Sequence, residues 1–148
     1  AVVSNAVPGP SAGNVPLTAK QAYGMYADVC LKTLPRFSGA KAAALRLPTT
    51  YNPAAEVYVH RRLNSSFKVV EGPKGVCSMV FASRDHGGAM ALAFSLLGAI
   101  ATGAPNGNGD MQKATAYSKA PDGTISVFEP MPPQGGVPYY HAYVALSG

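Results

Sequence analysis

The run Ser83-Arg84-Asp85-His86-Gly87-Gly88 gathers a hydroxyl, a guanidinium, a carboxylate, an imidazole and two residues without side chains in consecutive positions. It lies between VCSMVFA, which reads as a strand, and GGAMALAFSLLGAIATGA, which reads as a helix. At such a junction the first N–H groups of the helix lack intrahelical partners and the positive dipole end points outward, so an anion can be held there. Gly87 and Gly88 would let a ligand approach the backbone, and Arg84 would supply the counter-charge. His86 could act as a catalytic acid or base. The competing reading of the same residues is structural: Asp85 or Ser83 caps the helix, the glycines permit close packing on the sheet, and His86 is exposed.

The string His86-Gly87-Gly88 resembles the oxyanion loop of some esterases. The GxSxG nucleophile elbow that accompanies that loop is absent, and Ser83, Asp85 and His86 are too close in sequence to form a triad without partners elsewhere. His60 and His141 fall on expected strands, with Tyr58, Tyr140 and Arg62 as neighbours. A three-histidine zinc site would need all three histidines to converge. There is no HExxH spacing, so neither a metal nor another cofactor is expected. The 7 acidic residues are scattered, and none sits in an apolar run that would raise its pKa.

A second kind of site is suggested by Tyr139, Tyr140 and Tyr143, which follow the loop MPPQGG. Tyrosine offers large, rigid contact area, and a proline-rich segment loses little entropy on ordering. These tyrosines form either a partner-binding surface or one packed face of a strand.

The elements that must position these residues follow from composition and period. At 148 residues with 47% hydrophobic and 13% charged residues, the chain suits one folded domain with one core. Cys30 and Cys77 have no CxxC spacing, which argues against a zinc site or a redox dithiol. A Cys30–Cys77 disulfide is expected, and it places the protein in an oxidising compartment, secreted or periplasmic. The chain begins at Ala1 with no charged n-region before an apolar run, as a processed exported protein would. Eight basic residues between Cys30 and Gly75 face only Glu56 and Glu71. Apart from Arg61-Arg62 they are singly spaced and carry no nucleic-acid motif, so a solvated face is expected.

Residues 1–15 read as an irregular arm and 16–148 as the domain. Thr18 and Gln21 form a capping box for a helix whose stripe contains Cys30 and which Pro35 stops. Ser38 is expected to cap a short helix over 40–45, and PTTYNP to be a connection. EVYVHRRL reads as an edge strand broken by Arg61. SSFKVVEG and VCSMVFAS form a hairpin, the second strand being apolar on both faces and therefore central. The stretch 87–104 is apolar on nearly every side and is expected to be a buried core helix, without the basic flanks of a membrane span. A turn-forming run follows at 105–109. QKATAYSK and TISVFE flank the turn Ala120-Pro121-Asp122-Gly123. PMPPQGGVP, from Pro130 to Pro138, reads as an extended, proline-rich loop before the last strand, YYHAYVALS.

The expected fold is α+β: an antiparallel sheet of five or six strands packed against one long apolar helix and an N-terminal helix. The expected function is a small exported binding, inhibitory or assembly protein that acts through its surface on another protein or an anionic ligand. The alternative is a hydrolase or anion-binding enzyme centred on the strand-to-helix junction from Arg84 through Asp85, His86 and Gly87 to Gly88.

Overall fold

The computed structural model describes residues 13–103 and 108–147. Among them the chain runs α1 (Ala19–Tyr26), a π-helical turn (Ala27–Leu31), α2 (Ala40–Arg46), β1 (Thr49–Asn52), β2 (Val57–His60), β3 (Ser65–Val70), β4 (Val76–Ala82), α3 (Gly87–Thr102), β5 (Asn108–Asp110), β6 (Thr115–Lys119), β7 (Ile125–Gln134) and β8 (Val137–Ala145). The class is α+β, with one antiparallel sheet in the order β1-β2-β3-β4-β8-β7-β6-β5. Two four-stranded meanders thus lie side by side, joined where β8 pairs with β4.

The sheet has eight strands rather than five or six. The additional two are short edge strands: β1 inside PTTYNP and β5 in the turn-forming run. A short edge strand pairs on one side only and needs no apolar alternation, so sequence period passes over it. β2 is consequently not an edge. It ends at His60, and Arg61 extends its guanidinium to the Thr49 carbonyl of β1 at 2.8 Å.

Register explains why one face is buried. Tyr51, Tyr58, Phe67, Met79, Ala142, Phe128, Ala116 and Gly109 are paired in one row across all eight strands. The row shrinks towards β5, and α3 settles into the space. A Cβ on Gly98 would lie 2.8 Å from the Ser126 hydroxyl, and one on Gly109 would lie 3.2 Å from the Ala91 carbonyl. Phe94 of α3 then stacks on Phe128 with centroids 4.5 Å apart, flanked by Tyr23, Tyr26 and Phe81.

The capping box forms as the sequence predicts, with Thr18 accepting from the Gln21 N–H and Gln21 accepting from the Thr18 N–H. Beyond Tyr26 the helix widens into the π turn, where the Lys32 N–H donates to the Ala27 carbonyl. That extra residue turns Val29 and Cys30 into the core. Cys30 is disulfide-bonded to Cys77 of β4, and such bonds persist in oxidising compartments. Ser38 does not cap α2. Gly39, at φ +84°, makes the entry instead, because no side chain resists that left-handed turn.

Two further expectations fall partly outside the described residues, and a third changes. Of the expected arm, residues 1–12 lie outside the described residues, but Val15 bridges Leu63 and Gly13 donates to the His60 carbonyl. Residues 104–107 of the helix end and turn also lie outside them. The proline-rich segment is strand: β7 continues through Pro130, Pro132 and Pro133 to the Gly135-Gly136 turn, pairing from Glu129 onward with β8 alone.

The helices and the π turn pack on one face, in the larger core. On the opposite face Val57, Val59, Val80, Ala82 and Tyr139 form a smaller cluster, closed by Ala55, Met131 and Val137 at the ends of two hairpins. The disulfide joins the π turn to the central strand across a sequence separation of 47. A Cys30→Ala/Cys77→Ala variant should lose about 2–4 kcal/mol of unfolding free energy, read from urea denaturation. An unchanged midpoint would show that packing alone holds the π turn on β4.

Candidate functional site: the β4–α3 junction and the outer face of α3

β4 ends at Ala82, whose carbonyl accepts from the Leu17 N–H, and Ser83 is fully buried with its N–H on the Pro138 carbonyl. The Ser83 hydroxyl accepts from the Asp85 N–H at 3.1 Å. The Asp85 carboxylate turns away from α3 and accepts from the Ala19 N–H at 2.6 Å, in the first turn of α1. One carboxylate therefore ties the starts of two helices together. Its charge, after burial, helps push the Tyr23 phenol above its ordinary range.

The cap of α3 is neither Asp85 nor Ser83 but His86, whose Nδ1 accepts from the Ala89 N–H at 3.1 Å. Accepting through Nδ1 assigns the ring proton to Nε2, so the neutral imidazole presents a donor to solvent. To act as a base, His86 would have to protonate the nitrogen that holds the cap. Gly87 and Gly88 are filled in from outside. A Cβ on Gly87 would meet the Tyr140 hydroxyl at 2.7 Å, and one on Gly88 the Met111 carbonyl at 2.5 Å. A carbonyl oxygen in that position opposes an anion. Arg84 is exposed. Of the residues assigned to this junction, Arg84 and the outer edge of His86 face solvent, and the glycines serve packing.

The tyrosines do not share a surface. Alternation along β8 sends Tyr140 to the helix face, stacked on Phe128 at 5.4 Å and near Phe81 at 5.7 Å, where burial pushes its phenol up. Tyr139 and Tyr143 go to the other face. Tyr139 is buried, its hydroxyl accepting from the Asn64 amide at 2.6 Å. Tyr143 is half-buried and stacks on His141 at 4.6 Å. Burial, then the Glu129 carboxylate, holds its phenol above the usual range.

The three histidines occupy separate places. His60 Nδ1 accepts from the Arg62 and Leu63 N–H groups at 3.0 and 2.9 Å, closing the turn from β2 to β3. Burial, then Arg62 and Arg61, hold its imidazole below the usual value of 6.5. His141 Nδ1 lies 3.4 Å from a Glu129 carboxylate oxygen; burial pushes its pKa down and Glu129 partly restores it. Among the described residues no three His, Cys, Asp or Glu side chains converge on a metal position.

The basic half carries charges that are partly paired. Lys68 lies 3.7 Å from Glu56 beside a groove of about 270 Å³ that also includes Tyr51 and Tyr58. Lys32 pairs with Asp28 at 2.7 Å beside another groove, of about 450 Å³.

Sequence reasoning missed the outer face of α3. The helix is not buried all round: Leu92, Leu96 and Ile100 are 44%, 67% and 72% exposed. Ala89 and Gly103 share that exposed face, and Ala93 and Ala99 flank it half-buried. No charged residue occurs anywhere in α3. The spacing of four was visible in the sequence, but apolar residues on every side concealed which of them faced outward. No helix among the described residues is long and apolar enough to cross a membrane.

Compared with protein-family models, curated proteins and solved structures, the chain matches none.

Two outcomes test the junction and the histidines. His86→Ala should lose about 1 kcal/mol of stability, whereas His86→Asn, which caps equally well, should stay near wild type in urea denaturation. The His60 contribution has a defined sign. Its folded pKa is depressed, so the unfolded chain takes up the proton first as pH falls. The stability it supplies is complete above about pH 6.5 and is lost as pH falls towards the folded value. His60→Asn, whose Oδ1 can accept from the same two N–H groups, should match wild type at pH 7.5 and fall less steeply towards pH 5. Equal slopes for the two proteins would remove His60 from the acid response.

Proposed function

We propose that this protein works by binding, as an assembly or inhibitory module that acts through its surface, and that the outer face of α3 is the contact. The observation that carries this reading is the exposure of Leu92, Leu96 and Ile100 on a helix with no charge. A helix lying on its own sheet ordinarily shows polar residues to water. Fully burying a Leu or Ile side chain is worth about 1.5–3 kcal/mol, and Leu96 and Ile100 leave roughly two thirds of that unrealised in the isolated chain. A contiguous apolar patch of this kind marks an interaction site.

Export to a secreted or periplasmic location fits the disulfide and the low charge content, and is part of the same proposal. The β4–α3 junction supports binding better than turnover, since its imidazole, carboxylate and glycines are each engaged in holding α1, α3 and β8 together.

A photo-reactive benzophenone residue placed at position 96 tests the contact in cells that export the protein. It should give a discrete cross-linked adduct, whereas the same group at the exposed Lys119 of β6 should give none. Leu92→Ser and Ile100→Ser, combined with the probe at 96, should abolish the adduct while changing the urea midpoint little, since both side chains are largely in water. No adduct at 96 would sink the surface-binding reading.

A further inference from the structure

Resting on that reading, we infer that the occupant of the α3 face is a second copy of this chain, held across a two-fold axis near Leu96. Leu92, Leu96 and Ile100 form a straight ridge at intervals of four residues. On either side the helix falls away at Ala89 and Ala93, and at Ala99 and Gly103. A ridge of this spacing packs into the groove beside its counterpart with the axes crossed at about −50°. Reversed end for end, the ridge reproduces itself: Leu92 meets Ile100 of the second copy, and each Leu96 drops over Ala93 beside its own counterpart. Both outer positions carry four-carbon aliphatic side chains, so the two halves of the contact have the same bulk.

Charge makes the same selection. A two-fold contact brings every group on the patch close to its own copy, so a charged residue near the axis repels itself. α3 contains none. The ridge itself carries no charge or hydrogen-bonding side chain by which an unrelated partner could be selected or rejected. Shape is the specificity this face has, and the shape it fits is its own. Antiparallel helices also set the positive dipole end of each α3 towards the negative end of the other.

Area sets the strength. A stable interface removes about 800 Å² from each partner. Three protruding side chains and the small residues beside them make a smaller contact than that, so the dimer is a reversible one.

Sedimentation equilibrium of the full oxidised chain, from about 10 µM to about 1 mM, reads the association directly. The weight-average mass should climb towards twice that of the chain. L96E and L96K should each stay monomeric over the same range, weakened about 100-fold or more by like charges at the axis. An equimolar mixture of the two should recover the dimer, because opposite charges then meet there. In a purified sample, the benzophenone at position 96 should give an adduct of twice the chain mass without any introduced charge. A wild-type dimer untouched by either substitution, or variants that dissociate yet do not pair when mixed, would overturn the two-fold contact. A chain monomeric to 1 mM whose cellular adduct at 96 has another mass would overturn the second copy and leave surface binding standing. Absence of any adduct in both settings would remove both.

Discussion

The close approach of α3 to the β5–β8 half of the sheet is the constraint on which the rest of the structure depends. It is set by missing side chains: Gly98 on the helix over Ser126, and Gly109 beneath Ala91. With that separation fixed, Phe94 reaches the ring of Phe128, and the aromatic group from Tyr23 to Tyr140 closes around it. The first turn of the helix is pinned in the same way, with Gly87 against the Tyr140 hydroxyl and Gly88 against the Met111 carbonyl. What looks like a glycine-rich ligand loop is thus a packing joint. It fixes the rotation of α3 about its own axis, and that rotation decides which apolar residues point to water.

The larger core and the chemistry near it are linked through Asp85. Its carboxylate receives the Ala19 N–H, so the start of α1 is held to the start of α3. The disulfide holds the other end of that helical segment to β4. Between these two ties, α1 and the π turn lie over the middle of the sheet, and Tyr26 and Val29 are buried there. The imidazoles follow a common theme: His60 and His86 both accept backbone N–H groups through Nδ1, which is structural work done by the neutral ring.

Much of this was legible in the sequence. The capping box at Thr18 and Gln21, the central β4, the β6–β7 hairpin around Asp122-Gly123 and the Cys30–Cys77 bond all rest on local chemistry that tertiary context left intact. What escaped was determined by neighbours. β1 and β5 are too short for a period to show, and Pro130, Pro132 and Pro133 sit in a strand because only β8 pairs with that stretch. The tyrosines could have been sorted from sequence, since 139 and 143 are an even interval apart and 140 is not. The exposed side of α3 could not, because period carries no direction in a helix that is apolar throughout. The cap position offered several plausible acceptors, and only the backbone path after Ser83 gave it to His86.

The proline-bearing end of β7 has a consequence for the behaviour of many chains together. Beyond Phe128 this strand is a margin of the sheet, and an unpaired margin is a template on which a foreign strand can add. Proline has no N–H to give such a strand, and three prolines fall within Pro130 to Pro133. Along Pro130 to Pro133 the margin therefore gives a foreign strand few donors to grow on, and the true edges of the sheet, β1 and β5, limit such growth by being short.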